Sequence, residues 1–414
     1  MLPDSNGRLL SASETSLFVR IGVLYYPGVS CLGVYYLGVP PSPTHRPALV
    51  GISARSPIGS AHGALSGWHP VELIAHVLDA LRDQAAASGV ELDAIDRVVL
   101  GNPTPVGALS APLRSLAISG HWAGELDGIE VGGGRAAGHQ ALAHAAELVS
   151  CQAAANVIVV SAAMASVVPP GAPLLRRDYG KPLTPSTLRS LAERGGHLPD
   201  GQVADTLGFD RPHVDRQVTT SFGAAAQWPS TAASTESRID DPDRSTPYRG
   251  PEFVVDEPLR RNAENPADFE PMFDDGGVVT ALSLAQSADG VVAMLVSAST
   301  GSHELGPTMS AIGLPTDPLE PLASIAKQLI ADTDSPTVVA DEPSAAHTLA
   351  LAQRLDIALE RINPQGGAVA RGRVDGAASL MGLHDVMHGS ATNEIALLSS
   401  TGDGKSFGSR LTRR

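Results

Sequence analysis

One stretch constrains the rest of the chain. Residues 129–161 run from Gly132, Gly133 and Gly134, through an Ala- and Leu-rich segment, to a short β-branched apolar run. Only a backbone without side chains takes such a glycine break easily. From Ala136 the apolar positions recur at helical spacing, and no β-branched residue appears before Val149, so a helix is expected. Residues 156–161, Asn-Val-Ile-Val-Val-Ser, read as a strand buried on both faces. The expected order is loop, tight turn, buried helix, core strand. A helix that starts under a glycine turn presents free N–H groups and a positive dipole end, a natural place for a thiolate or an anion. The residue there is Arg135, which offers no nucleophile. The glycine run could cradle a phosphate, but a turn accounts for it.

The remaining elements fit around this unit. Residues 47–59 read as a strand and a turn, and Pro70 opens a helix whose apolar face is Leu73, Ile74, Val77, Leu78 and Leu81. Residues 96–102 are a strand ending in a turn, and 291–296 a buried strand. Further on, 319–330 is a helix, 337–342 a strand, 345–355 a helix, 376–387 a helix and 393–400 a strand, with a turn at 402–404 into a closing strand. Strands alternating with helices predict an α/β layering. Between 165 and about 278 the chain turns polar and Pro-rich, and 230–250 reads as exposed loop or disorder.

With 414 residues, 43% of them hydrophobic and 18% charged, the chain is globular and long enough for two or three units. Its net charge of −15 argues against nucleic acid or an anionic membrane as the main partner. Cys31 and Cys151 are its only cysteines. They make neither a disulfide framework nor a metal cluster, so a reducing cytoplasm fits, and Cys151 is expected to be a buried thiol. Residues 1–46 hold four tyrosines, and 19–39 are nearly uncharged. Pro27, Gly22, Gly28 and Gly33, with Asp4 and Glu14 ahead of the run, argue against a membrane span or signal. The segment is read as an unstructured or misannotated leader, closed by a Pro-rich linker at 40–43.

Several motifs, in one order along the chain, carry a family resemblance. Residues 135–142, Arg-Ala-Ala-Gly-His-Gln-Ala-Leu, resemble the nucleophile segment of thiolases, Cys-x-Ser-Gly-Leu-Gln-Ala-Ile. Residues 55–59, Arg-Ser-Pro-Ile-Gly, resemble the family's Arg-Thr-Pro-Ile-Gly, and 96–102 its Asp-x-Val-Ile-Leu-Gly-Asn. Residues 164–166 fall on its Met-Glu-Ser, 256–260 on Asp-Glu-x-x-Arg, and 279–290 on Val-Thr-Ala-Gly-Asn-Ala-Ser-x-x-Asn-Asp-Gly. The resemblance implies a duplicated five-layered α/β/α/β/α core with an inserted loop domain. The expected units are 47–165 plus 279–300 as the N-terminal half, 166–278 as the loop domain and 301–414 as the C-terminal half.

The same alignment puts the functional residues in question. A thiolase uses a cysteine nucleophile, a histidine base, an asparagine at the oxyanion site and a second cysteine as acid/base. Here the corresponding positions are Arg135, Arg373, Asp341 and Leu398, and the serine that helps hold coenzyme A is Ala285. Ser399, Ser400 and Thr401 lie beside Leu398, but no histidine aligns with the pocket to activate them. His139 and His144 on the central helix are expected to be packed or solvated. His384 and His388 share a helix face without a third metal ligand, and are expected at the surface. Arg135, Asp341 and Arg373 are expected to form an ion network that fills the old reaction pocket; alternatively, the arginines grip an anion such as a carboxylate. The first functional reading is a thiolase-like protein without standard thiolysis or Claisen condensation. It would be a non-catalytic subunit, in a homodimer or beside an intact thiolase, or a holder of acyl-CoA with no other cofactor. The second is an acetyl-CoA acyltransferase using other residues, and the third a structural or regulatory protein that has dropped CoA.

Overall fold

The computed structural model describes residues 46–90, 95–119, 127–175, 180–193, 200–240, 245–273, 276–313, 317, 319–401 and 404–414. Residues 1–45 of the expected leader and linker and residues 402–403 of the expected closing turn lie outside them. In the N-terminal part, β1 (Ala48–Arg55), β2 (Gly59–Ser60), α1 (Pro70–Ala87), β3 (Arg97–Gly101), α2 (Pro112–Ile118), β4 (Asp127–Val131), α3 (Ala137–Ser150) and β5 (Asn156–Met164) follow one another. Next come α4 (Ala172–Leu175), α5 (Pro185–Glu193), α6 (Asp200–Asp205), α7 (Arg211–Gln227), β6 (Thr235–Ile239) and β7 (Tyr248–Phe253). The chain ends with β8 (Ala288–Ser297), β9 (His303–Leu305), β10 (Met309–Ile312), α8 (Leu319–Ile330), β11 (Thr337–Ala340), α9 (Ala345–Leu355), α10 (Gly367–Arg371), α11 (Ala378–Gly389), β12 (Glu394–Ser400) and β13 (Lys405–Arg413).

Strand alternation explains the layers. Successive side chains point to opposite faces, and here both faces are apolar. In β5, Val157 and Val159 join the core built on α3 and α11, whereas Ile158, Val160 and Ala162 join the core under α1. In β12, Ile395 and Leu397 face the α3/α11 core and Ala396 and Leu398 face α8 and α9. The central helices therefore lie between two strand layers, with α1 outside one and α8 and α9 outside the other. This is the expected α/β/α/β/α arrangement. A repeat is visible in the pairing. The order β1-β8-β5-β3 is antiparallel, antiparallel, parallel, and β10-β13-β12-β11 repeats it in the same senses. β9 pairs with both β1 and β13 and so joins the halves into one 11-stranded sheet.

A bulge in β1 matters for later contacts. Val50 faces Val296 while Ser53 faces Met294, so one extra residue is accommodated between them. Gly51 lies in this stretch, where a Cβ would run into Ser302. Ala48 and Val50 thus pack on the central layer, but Ile52 and Ala54 pack on the outer one. Ser53 is turned inward instead, toward α11.

Four local expectations are corrected. Residues 129–131 are not loop: they finish β4, which pairs in parallel with β3 from Arg97↔Asp127 to Gly101↔Val131. Its polar sequence suits a strand at the end of the sheet. Residues 230–250 are not simply exposed loop, because β6 and β7 form an antiparallel pair. Their partners come from the core: Arg238 N–H donates to Ala64 O at 2.7 Å, and its guanidinium stacks 3.5 Å over the Trp68 ring. Cys151 is exposed, because it caps the C-terminal end of α3. His384 is fully buried, since Ser53 Oγ lies 2.8 Å from its Nδ1, while His388, one turn further along, is exposed. Among the described residues, no helix is long and apolar enough to cross a membrane.

Candidate functional site at the start of the central helix

The glycine turn does what the sequence requires of it. Gly133 and Gly134 have φ of 138° and 54°, values that side chains strain to adopt. A single 3-10 turn over Gly134–Ala136 then leads into α3. Gly138, in the first turn of α3, touches the other half of the molecule: its N–H donates to Gly376 O at 2.9 Å. A Cβ there would overlap that carbonyl and press on Ser161. Residues 135 and 373 are thereby brought to one place from opposite ends of the chain.

Both arginines meet the same acid. Arg135 Nη1 lies 2.7 Å from Asp200 Oδ2, and Arg373 Nη1 lies 3.2 Å from the same oxygen. Arg373 also holds Asp375 through Nε at 3.1 Å. Burial pushes the Asp200 carboxyl upward, yet Arg135 and Arg373 outweigh it and hold the group down at about 2. Asp200 opens α6 in the inserted region. Its sequence distance from either arginine carries no register information, and no motif marked it.

Asp341 does not take the role expected for it. It sits at the end of β11, 9% exposed, with its N–H donating to Leu398 O, and among the described residues it makes no ion pair within 4 Å. Burial raises its carboxyl, and the two arginines only partly oppose this. The network contains Arg135, Arg373, Asp200 and Asp375, with Asp341 beside it. Leu398 is fully buried among the side chains of α8 and α9. Two residues on, Ser400 reaches the pocket. Ala285 is held by its N–H on Pro343 O at 3.0 Å and packs in the apolar cluster around α7.

A histidine does reach the pocket, contrary to the alignment. His347, 3% exposed in the first turn of α9, lines it beside Arg135, Asp200, Asp341 and Ser400. Its Nδ1 is 2.9 Å from Ser344 Oγ, and its Nε2 is buried without a partner. Desolvation lowers this imidazole to about 4, and Asp200 opposes that only in part. The space left in the pocket is about 20 Å3, enough for one or two water molecules. His139, by contrast, is sealed away. It bridges Ser399 and Ser409, each at 2.9 Å, and all three are completely buried. Burial holds it down at about 3, so it is a packed neutral ring.

The other motif residues also converge. Arg55 Nη1 meets Asp256 at 2.8 Å, Arg55 Nε meets Asp385 at 2.8 Å, and Arg371 meets Asp256 at 2.6 Å, all buried. The Arg55 and Asp256 motifs thus cement β1, the inserted region and α11. Ser166 bonds through both its N–H and Oγ to Asp289. Among the described residues, no group of three or more His, Cys, Asp or Glu could hold a metal ion.

Residues 49–300 match the family model described as thiolase, N-terminal domain. The chain belongs to the thiolase family. It is 28% identical over 371 residues to a protein of Escherichia coli (strain K12) named "Probable acetyl-CoA acetyltransferase", covering 81% of this chain and 90% of that one. It is 27% identical over 365 residues to the acetyl-CoA acetyltransferase of Pseudomonas aeruginosa, covering 81% and 91%. In three dimensions it resembles acetyl-CoA acetyltransferase from Syntrophomonas wolfei, with a TM-score of 0.73 at 19% identity over 89% of this chain and 100% of the other. Human mitochondrial 3-ketoacyl-CoA thiolase has a TM-score of 0.72 at 18% identity, covering 89% and 99%. These likenesses bear out the thiolase fold.

Proposed function

We propose that this chain is a thiolase-like protein of acyl-CoA metabolism that acts as a non-catalytic subunit, without cysteine-dependent thiolysis or condensation. The observation that carries the reading is Arg135. It stands where the family places its nucleophile, it is paired to Asp200, and about 20 Å3 of space remains beside it. An acyl thioester needs a nucleophile and room for a tetrahedral centre; an arginine clamped to an aspartate supplies neither. Arg373 and Leu398 complete the pattern, since neither takes a proton from a thiol at neutral pH. In this reading 47–165 with 279–300 and 301–414 are the two thiolase halves, 166–278 is the loop domain and 1–46 a leader. The protein works in the cytoplasm as a homodimer or beside a catalytically intact thiolase.

A second reading is acyl transfer to or from acetyl-CoA, which the names of the relatives favour. Calorimetry with CoA and acetyl-CoA, paired with a thiolysis assay on acetoacetyl-CoA, separates the possibilities. Binding without turnover supports a subunit that holds acyl-CoA. Turnover overturns the proposal. Absence of both leaves a structural or regulatory role, which Ala285 at the CoA-serine position favours.

A further inference from the structure

A second cleft lies away from Arg135. It runs between the C-terminal half of α7 and residues 359–364, has a volume of about 380 Å3, and shares no lining residue with the arginine pocket. That volume is in the range of small-molecule sites. Three features of its lining specify a ligand.

The first is an unsatisfied amide. Gln217 is only 6% exposed, its Oε1 is completely buried, and its side chain makes no hydrogen bond. A buried amide without partners costs about 1–3 kcal/mol, so the side chain gains from any partner the cleft supplies. Rotation of the amide exchanges its oxygen and nitrogen, so an acceptor can be turned to the cleft. The second is charge. Glu342 and Glu360 line the cleft, and no Lys, Arg or His does among the described residues. Glu342 is tied down, with Oε1 accepting from Thr348 Oγ1 and Oε2 from Val369 N–H. Glu360, exposed at the rim, is in no ion pair or hydrogen bond. The third is an aromatic wall. Trp228 is anchored by its Nε1–H on Asp385 O at 3.2 Å, with Leu359 and Ile362 nearby as apolar surface.

We propose that this cleft is a binding site for a small organic ammonium compound with a flat apolar body. The ammonium donates to Gln217 and lies near Glu360, and the flat portion packs on Trp228, whose ring face also attracts cations. Burial pushes the Glu342 carboxyl up to about 7, so an anion such as a CoA phosphate meets the charge of Glu360 and no basic residue, and the site is separate in chemistry as well as in place from CoA binding. It stands or falls independently of the reading of Arg135.

The test is calorimetry on the full chain with 2-phenylethylamine, with 3-phenylpropionate as an anion of similar shape. The expected result is saturable one-to-one binding of the amine, absence of carboxylate binding, and affinity about tenfold weaker in Gln217→Leu. Glu360→Gln, on the surface and harmless to the fold, also weakens the amine and relieves the exclusion of the carboxylate. The proposal is overturned by failure of the amine to saturate, by equal binding of 3-phenylpropionate, or by unchanged amine affinity in both variants.

Discussion

Asp200→Asn tests whether one acid holds the pocket at the start of α3 closed. The substitution keeps the shape of the side chain and removes its charge, leaving Arg135 without its ion pair and Arg373 with Asp375 alone. The Asp200 carboxyl is held at about 2 against an ordinary 3.8. At 1.36 kcal/mol per pH unit this is worth about 2.5 kcal/mol, just below the 3–5 kcal/mol for breaking a fully buried pair. That ordering is reasonable for side chains that remain 24% and 16% exposed. Spread over an unfolding entropy of about 2.1 cal/mol/K per residue, it lowers Tm by about 3 °C. Because the folded carboxyl is depressed, its contribution is complete above about pH 4 and is lost as pH falls toward 2. Calorimetric Tm of the two proteins should therefore differ by the same amount at pH 7 and 5, and the gap should narrow below pH 4. Asp341→Asn is the control: its carboxyl is raised by burial and makes no ion pair among the described residues, so its loss costs less or raises Tm. A Tm for Asp200→Asn within 0.5 °C of the parent at pH 7 (about 0.4 kcal/mol on the same scale), or a larger drop for Asp341→Asn, refutes the assignment.

Three further outcomes are expected. Gly138→Ala forces a methyl against Gly376 O and Ser161 and should destabilise by about 1–3 kcal/mol, read as a lower urea midpoint; an unchanged midpoint would show that the two halves separate easily there. His139, His347 and His384 are held by burial at about 3, 4 and 3, so the unfolded chain takes up protons first, from about pH 6.5 downward. Tm should fall between pH 7.5 and 5, with a shallower slope in His139→Gln; equal slopes would show that His139 contributes nothing. Exposed Cys151 should be alkylated by iodoacetamide in the native protein, as mass spectrometry of its peptide would show.

Much of the fold was written locally. The helix over 319–330 and that over 345–355 begin and end where apolar spacing places them, because an amphipathic period of 3.6 belongs to the segment itself. The strand at 156–161 and the glycine turn before α3 are legible for the same reason. The bulge between Val50 and Ser53 was not: it depends on Ser302 coming close and on the register of β8, and it turns Ser53 toward His384. Residues 129–131 were missed because a strand at the end of the sheet needs few apolar side chains once β3 supplies its hydrogen bonds.

The site divides in the same way. Aligned motifs named Arg135, Arg373 and Asp341; the fold places Arg135 and Asp341 in one pocket and Arg373 against the same Asp200, with Gly138 touching Gly376 between the halves. Asp200 and His347 came only with the structure. Coulomb attraction depends on distance in space, and α6 is carried over the pocket by tertiary packing that no spacing in the chain encodes. Residue identity by itself determined that the start of the central helix holds a permanent positive charge; only the tertiary structure decided which aspartate neutralises it.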